Sequence, residues 1–171
     1  MANIDSPKGM WPVRHLSGGQ IRTNSYILTT GTAVYKGDIL KVVNTGTVEP
    51  ASAADAQIVI GVSAEYVAAA DASAGREIQV YDDPLIVFGI QDTTSQSTVA
   101  ADIFTTCDHV AGSGSATTGL SGHEANTAGT DAQLRIIGKV DEPDNAWGEH
   151  VNLEVVFNEH LFKQNATTGS V

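Results

Sequence analysis

Residues 76–91 read REIQVYDDPLIVFGIQ, and this stretch decides the fold class. In REIQVY (76–81), apolar and polar side chains alternate with a period of two, which is typical of a half-buried β-strand. The DDP tripeptide at 82–84 predicts a turn, because proline fixes its own backbone and removes a hydrogen-bond donor. LIVFGIQ (85–91) is almost continuously apolar and predicts a strand that is buried on both faces.

Similar short runs, rich in β-branched residues, occur on both sides of this stretch. They are NSYILTT (24–30), AVY (33–35), DILKVV (38–43), IVIGVSAEYV (58–67), QLRIIGKV (133–140) and VNLEVVF (151–157). Gly61 lies inside one of the apolar runs, which predicts a bulge or a close approach of two backbones. The turns between the runs are rich in glycine, as expected of an antiparallel sheet with tight connections.

One segment has helical spacing. In TVAADIFTTCDHV (98–110) the apolar side chains recur at helical intervals, and Thr98 is suited to cap the first turn. Residues 111–132 form a long polar stretch that predicts a surface loop. The sequence therefore predicts one mainly antiparallel β-domain, a barrel or a sandwich, with one short helix.

The first 23 residues differ from the rest because they carry two prolines and three glycines, which oppose regular structure. They also carry Met10, Trp11, Val13 and Leu16, which are unusual in a disordered tail. We therefore predict an extended N-terminal arm. The arm would lay these side chains on a partner, or Trp11 would fold back onto its own domain, and both arrangements can hold together. The predicted organisation is an arm (1–23), a β-rich domain (24–162) and a flexible tail (163–171).

Composition excludes several functional classes. The chain has 171 residues and a formal net charge of −11, divided into +3 for residues 1–41 and −14 for the remainder. Such an acidic chain is not expected to bind nucleic acid, which needs clustered Lys and Arg. It contains no apolar run long enough for a membrane helix. The opening residues lack the apolar core of a signal peptide, and Cys107 is the single cysteine, so we expect synthesis in a reducing cytoplasm.

Motifs for catalysis are scarce in the sequence. The five histidines show neither the HExxH motif nor the spacing of a zinc-binding helix. GLSGH (119–123) resembles a nucleophile elbow only superficially, because His123 replaces the last glycine. Cys107 is expected to pack as a small apolar side chain. We expect no enzymatic activity, no cofactor and no metal, and this expectation favours a structural or binding role.

The sequence resembles a family of small virion proteins of tailed bacteriophages. The resemblance rests on several motifs along nearly the whole chain: MAN (1–3), Asp5, Pro7, Gly9, PVRH (12–15), Gly18, YKGD (35–38), IGV (60–62), TTGLSG (117–122), LRIIGKVDEPDN-x-WG (134–148) and NEH (158–160). Members of this family are capsid decoration or cement proteins. Where this chain has Met10, leucine is expected more often in the family, and the exchange conserves an apolar contact.

The resemblance implies a protein that binds outside a phage capsid, with the major capsid protein as its partner. It implies a small symmetric oligomer, with a trimer expected and a dimer as the alternative. On this interpretation the arm contacts the capsid through Lys8, Met10, Trp11, Val13, Arg14 and His15, while the acidic body faces outward. Phe157, Leu161 and Phe162 would line a subunit contact or complete the core. The alternative is a head fibre or a receptor- or glycan-binding virion module that uses the loop at 111–132.

Overall fold

The computed structural model describes residues 3–52, 59–93, 97–129 and 132–163. Eleven short strands lie within these residues, and two single turns of 3-10 helix, at Ala69–Asp71 and Ala100–Asp102, accompany them. The strands are β1 (Trp11–His15), β2 (Asn24–Ile27), β3 (Ile39–Val42), β4 (Val48–Pro50), β5 (Val59–Ser63), β6 (Glu77–Tyr81), β7 (Ile86–Gln91), β8 (Thr106–Val110), β9 (Glu124–Asn126), β10 (Leu134–Lys139) and β11 (Asn152–Phe157). The prediction of a mainly β fold is confirmed.

The strands form two antiparallel sheets. The first has six strands in the order β1-β7-β11-β10-β8-β9, and the second has five in the order β2-β6-β5-β3-β4. Two sheets that each carry an apolar face bury those faces by packing against one another, which gives a sandwich-like arrangement. Among the described residues neither sheet closes into a barrel, so the sandwich is the correct form of the two that were predicted.

The main core lies between the two sheets. Ile86, Phe88 and Ile90 alternate along β7 and enter this core, where Phe88 contacts Phe157 of β11 edge to face with ring centroids 5.5 Å apart. Ile39 of β3 belongs to the same core from the opposite sheet. The period of two in the sequence thus becomes one continuous apolar layer.

The second sheet also encloses a core on its other face. Leu40, Ile60 and Ile78 are fully buried there, and the neighbours Ile39 and Val59 of the first two enter the main core. Leu28, just after β2, makes an isolated parallel bridge to Val48 of β4, but among the described residues no ladder of strand pairing joins these two edge strands. Burial on both faces explains why the sequence 58–67 is continuously apolar rather than alternating.

Gly61 confirms the prediction of a bulge and a close backbone approach. The pairing of β3 with β5 shifts its register beside Gly61, between Leu40 and Lys41. A Cβ at Gly61 would overlap the Tyr81 carbonyl oxygen of β6, and its φ of +153° is one that other residues rarely adopt. Only glycine therefore allows these backbones to approach so closely.

The part of the predicted arm that forms β1 belongs to the β-domain. This strand pairs with β7 at the edge of the six-stranded sheet, with a bulge between Pro12 and Arg14. The backbone N–H of Met10 donates to the Gly37 carbonyl at 2.9 Å, which fixes the segment before the strand. Strand β1 is therefore part of the first sheet, although it precedes the predicted boundary at residue 23. Proline in this strand agrees with its edge position, because Pro12 has no N–H to donate.

The helix predicted over 98–110 is wrong. The segment contains only the 3-10 turn Ala100–Asp102, after which Phe104 adopts a φ of +74° and strand β8 begins. Cys107 pairs with Leu134 of β10. The apolar spacing was compatible with one helical stripe, but pairing with β10 and burial of Cys107 decide in favour of a strand. Thr98 does not cap a helix: its hydroxyl donates to the buried Asp92 carboxylate.

The stretch 111–132 is more structured than a single surface loop. It contains strand β9, which pairs with β8, and the turn at 115–120, which is bridged between Ser115 and Leu120. Of the predicted tail 163–171, only Lys163 is among the described residues, so that prediction lies outside them. No helix in the described part of the chain is long and apolar enough to cross a membrane.

The burial of Met10 generates a prediction about stability. Truncation of Met10→Ala removes a side chain that is only 2% exposed in the main core. We expect the free energy of unfolding to fall by about 2–5 kcal/mol, because packing contacts are lost and a cavity remains. Urea denaturation monitored by circular dichroism measures this change.

Leu16→Ala is the matched control, because Leu16 follows the same segment but is 51% exposed. The expected change there is within about 0.5 kcal/mol. A Met10→Ala protein as stable as the wild type would show that the N-terminal segment is not held in the core.

Candidate functional site

The predicted capsid-contact residues lie at one edge of the first sheet, and Met10 is the exception among them. Met10 is buried in the protein's own core and is therefore not a free apolar anchor in this conformation. Gly9, with a φ of +72°, lies so close to Ser121 that any side chain would overlap it. The segment before β1 is thus inserted between two loops of its own domain.

Trp11 also packs on its own domain. It pairs with Gly89 of β7, where a Cβ would overlap the indole ring. The Lys8 ammonium lies 3.9 Å from the centre of the Trp11 ring and forms a cation–π contact. The alternative in which Trp11 folds back is therefore the one observed, although Trp11 remains half-buried rather than sealed.

Arg14 and His15 of this segment have side-chain partners within the chain. The Arg14 guanidinium donates to the Glu154 carboxylate at 2.7 Å, and His15 Nε2 lies 3.0 Å from the Asp83 carboxylate. The hydrogen bond from His15 is the main reason why the pKa of Asp83 lies below its ordinary value. A capsid partner would have to replace these contacts rather than find free charges.

The open edge of β1 remains available to a partner. Within the described residues β1 pairs with β7 on one side only. Val13 is half-buried at the bulge, and Leu16 and Leu85 are joined beside the strand by a 2.9 Å backbone hydrogen bond. Both leucines are about half-exposed, at 51% and 46%. An unpaired strand edge beside exposed apolar side chains is a surface that suits strand addition.

The predicted subunit-contact residues divide into two groups. Phe157 is 1% exposed and completes the main core, so it is not available to another subunit. Leu161 and Phe162 are 40% and 57% exposed. Their backbones are fixed, because Leu161 N–H donates to the Val59 carbonyl and Phe162 N–H donates to the ring of His160. These two side chains form a small exposed apolar patch near the end of the described chain.

A row of buried polar side chains connects the two sheets. His109 Nε2 lies 2.9 Å from His123 Nδ1, which also accepts a 3.2 Å hydrogen bond from the Ile39 backbone N–H. His123 Nε2 lies 3.5 Å from an oxygen of Asp38. Because Nδ1 of His123 accepts, the proton of the neutral ring belongs on Nε2, directed towards Asp38.

Burial changes the pKa values along this row of side chains. It lowers the pKa of His109 to about 3 and that of His123 to about 4, so both rings are neutral at pH 7. Burial raises the pKa of Asp38 to about 6, opposed by hydrogen bonds from the Tyr35 backbone and the Ser121 hydroxyl. These neutral rings connect the sheets without introducing an unpaired charge into the core.

These buried polar side chains do not form the catalytic triad of a serine hydrolase. The Ser121 oxygen accepts a 3.0 Å hydrogen bond from the His123 backbone N–H, and its hydroxyl interacts with Asp38 rather than with an imidazole nitrogen. Ser121 is 2% exposed and is covered by Gly9. A nucleophile needs access to substrate, and the burial of Ser121 denies it that access in this arrangement.

A second polar cluster combines a histidine with two carboxylates at the surface. Asp5, Glu124 and His150 each offer one ligand atom, and these atoms lie within 4.8 Å of one another. His150 adopts a φ of +56°, which is uncommon for a residue other than glycine. Burial, followed by repulsion from Asp5, raises the pKa of Glu124 above its ordinary value, while His150 opposes this shift.

Comparisons with known proteins find no relative of this chain. No protein-family model matches it, and neither the curated proteins nor the solved structures contain a match.

The sequence indicated neither polar cluster as a unit. The pairs His123-Glu124 and Glu149-His150 are adjacent in sequence, but neighbours on a strand face opposite directions, so adjacency predicts no site. Asp5, Glu124 and His150 come from three distant segments that only the sheet pairing brings together. The expectation that the protein binds no metal rested on motifs and spacing in the sequence, which do not reveal this arrangement.

The low pKa of His109 predicts how stability depends on pH. In the unfolded chain a histidine binds its proton near pH 6.5, but folded His109 binds it only near pH 3. His109 therefore reduces the free energy of unfolding as the pH falls below 6.5. Where the unfolded chain binds this proton and folded His109 does not, the free energy of unfolding falls by about 1.4 kcal/mol for each pH unit. In His109→Gln the side-chain amide can still donate to His123, but this titration is removed.

We expect the free energy of unfolding of the wild type to fall more steeply between pH 6.5 and pH 4 than that of His109→Gln. Asp38 is present in both proteins, so its opposite contribution cancels in the comparison. Urea denaturation at several pH values measures the two slopes, and NMR should show no His109 titration between pH 8 and pH 5. Equal slopes, or a ring that titrates near pH 6.5, would contradict the buried neutral pair.

Proposed function

We propose that this protein is a structural virion component that binds the outside of a phage capsid and cements neighbouring major-capsid subunits. The observation that carries the proposal is the open edge of β1, because this strand contains the PVRH motif on which the resemblance to cement proteins rests. An extended strand edge can add to a strand of the shell through main-chain hydrogen bonds.

The proposed capsid-contact surface does not contain all of the apolar residues that the sequence predicted for it. Met10 belongs to the core and Trp11 packs on Gly89, so Val13, Leu16 and Leu85 supply the apolar contact in this proposal. Arg14 is about half-exposed and can exchange its intramolecular carboxylate for one on the capsid. Many copies on one particle make even a modest affinity per site effective.

The acidic remainder of the chain supports an outward orientation. Residues 42–171 carry a formal charge of −14, which favours solubility of a densely decorated particle. We propose a small symmetric oligomer, a trimer as the resemblance implies, in which Leu161 and Phe162 are the subunit contact. Assembly would follow synthesis in the host cytoplasm.

A second candidate is a head fibre or a glycan-binding virion module. It is favoured by the turn at 115–120, which is held against Lys36. The Lys36 N–H donates to the Gly119 carbonyl at 3.0 Å, and the N–H of Ser121, just after the turn, donates to the Lys36 carbonyl at 3.0 Å. Next to this turn, Tyr35 and Tyr66 stack with ring centroids 5.1 Å apart, and Tyr35 borders a pocket of about 330 Å³. The lining of this pocket is mainly apolar, and an aromatic ring beside an apolar surface can stack on the apolar face of a sugar.

The first test determines where the protein is located. Virus particles from a culture that produces this protein are purified and labelled with gold-conjugated antibodies raised against it. We expect label distributed over the head surface and the protein among the virion peptides found by mass spectrometry. Label at the tail tip or on fibres would contradict the cement proposal and support the second candidate.

The second test concerns the β1 edge. Leu16→Asp places a charge on the proposed contact, and we expect the capsid-bound fraction in a cosedimentation assay to fall about tenfold or more, because burial of leucine is lost. The assay uses purified heads depleted of the native protein. Val42→Asp is the matched control, since Val42 is 39% exposed on the other sheet and should retain binding. Equal binding by both variants would exclude the β1 edge as the contact.

A further inference from the structure

Asp5, Glu124 and His150 come together although they belong to different parts of the fold. Asp5 precedes β1, Glu124 begins β9, and His150 lies between β10 and β11. His150 Nδ1 is 3.8 Å from an oxygen of Asp5. The three ligand atoms, one nitrogen and two oxygens, lie within 4.8 Å of one another.

The nitrogen of His150 lacks a hydrogen-bond partner. Its imidazole is only 12% exposed, and Nδ1 is buried from solvent without a partner among the described residues. Buried polar atoms are normally paired, so an unpaired nitrogen beside two carboxylates marks a place that suits a cation or a water molecule. A cation satisfies the nitrogen and both negative charges together, whereas a water molecule leaves the repulsion between the carboxylates.

A third carboxylate gives independent support. Asp92 is fully buried, and its Oδ1 also has no partner among the described residues. Its backbone lies between the other groups, because Asp92 forms a bridge to Ala125 and donates its N–H to the Val151 carbonyl. Glu124 and His150 immediately precede these two partners. A buried carboxylate oxygen without a partner therefore lies behind the cluster, although the other oxygen of Asp92 accepts from the Thr98 hydroxyl.

Hydrogen bonds from Gln91 hold the ligand-bearing segments in place. Its Oε1 accepts from the Ser6 N–H at 2.8 Å, and its Nε2 donates to the carbonyls of Ile4 and His150 at 3.1 and 3.2 Å. Gln91 thus fixes the residues on both sides of Asp5 together with the backbone of His150. This order exists before any ligand binds, which reduces the entropy lost on binding.

Asn3 makes a second connection between the same segments. Its side chain accepts from the Ala146 N–H at 2.9 Å and donates to the carbonyls of Ala146 and Glu149 at 2.8 Å. The N-terminal segment is therefore joined to the β10–β11 connection immediately before His150.

We propose that Asp5, Glu124 and His150 bind a divalent transition-metal ion, with Zn²⁺ as the ion that the donors fit. One imidazole nitrogen and two carboxylate oxygens belong to the ordinary ligand set of zinc, whereas Ca²⁺ and Mg²⁺ prefer oxygen alone. Three protein ligands leave a fourth tetrahedral position for water. The ion connects the N-terminal segment to β9 and to the β10–β11 connection. This inference does not rest on the proposed function.

The test uses the full-length protein, freed of metal with EDTA and dialysed, and Zn²⁺ alone as the probe. Isothermal titration calorimetry should give one Zn²⁺ per chain with micromolar or tighter affinity. Thermal denaturation should shift to a higher midpoint with Zn²⁺, because the ion binds only the folded arrangement. Co²⁺ should give the visible absorption of a four-coordinate site, which reports geometry independently of affinity.

The variants His150→Ala and Glu124→Gln should each weaken Zn²⁺ binding at least tenfold and remove the thermal shift. Glu149→Gln is the matched control, because Glu149 is an exposed acid next to His150 and is not in the cluster. Its affinity should equal that of the wild type. Melting in EDTA confirms that each variant is folded, and using two ligand variants keeps the test valid if one of them is unstable.

Two results would overturn the proposal. The first is a wild-type protein that binds no Zn²⁺ at 1 mM free ion. The second is a Zn²⁺ affinity that His150→Ala and Glu124→Gln leave unchanged, which would assign binding to another part of the chain.

Discussion

All six residues of strand β7 are buried, and this burial requires a cover on each face of the strand. On one face Ile86, Phe88 and Ile90 enter the core between the sheets, where burial of a large apolar side chain contributes about 1.5–3 kcal/mol. Along its edge, β1 covers the strand and places the Trp11 indole over Gly89. The position of the N-terminal segment therefore depends on β7, and so does every surface to which that segment contributes.

The same strand connects the core with the polar surface at its end. Gln91 is the last residue of β7, and its side chain joins the residues around Asp5 to the backbone of His150. The amide that completes burial of the strand thus also positions two members of the surface cluster. A substitution at Gln91 would therefore alter the N-terminal segment and the cluster together.

Buried polar groups in this fold follow one rule. Each is neutral or hydrogen bonded where it lies between the sheets, as His109, His123 and Asp38 show. Among the described residues three buried atoms lack a hydrogen-bond partner: Asp92 Oδ1 and His150 Nδ1 near Asp5 and Glu124, and His160 Nε2, whose ring packs against Phe157. Unsatisfied buried groups are costly, and a cation bound by Asp5, Glu124 and His150 would compensate the two that lie near these ligands.

The sequence by itself determined the fold class, because periodicity along REIQVY and LIVFGIQ depends only on which side chains avoid water. The role of Gly61 was also predictable, since a glycine inside an apolar strand marks a place where a side chain would not fit. Tertiary structure alone decided that 106–110 is a strand rather than a helix. The apolar spacing that includes Cys107 is compatible with either structure, and only the pairing with β10 distinguishes a strand from a helix. It alone placed Met10 in the core and brought Asp5 to His150. These contacts join residues far apart in the chain, and local pattern contains no information about which distant backbone will provide the partner.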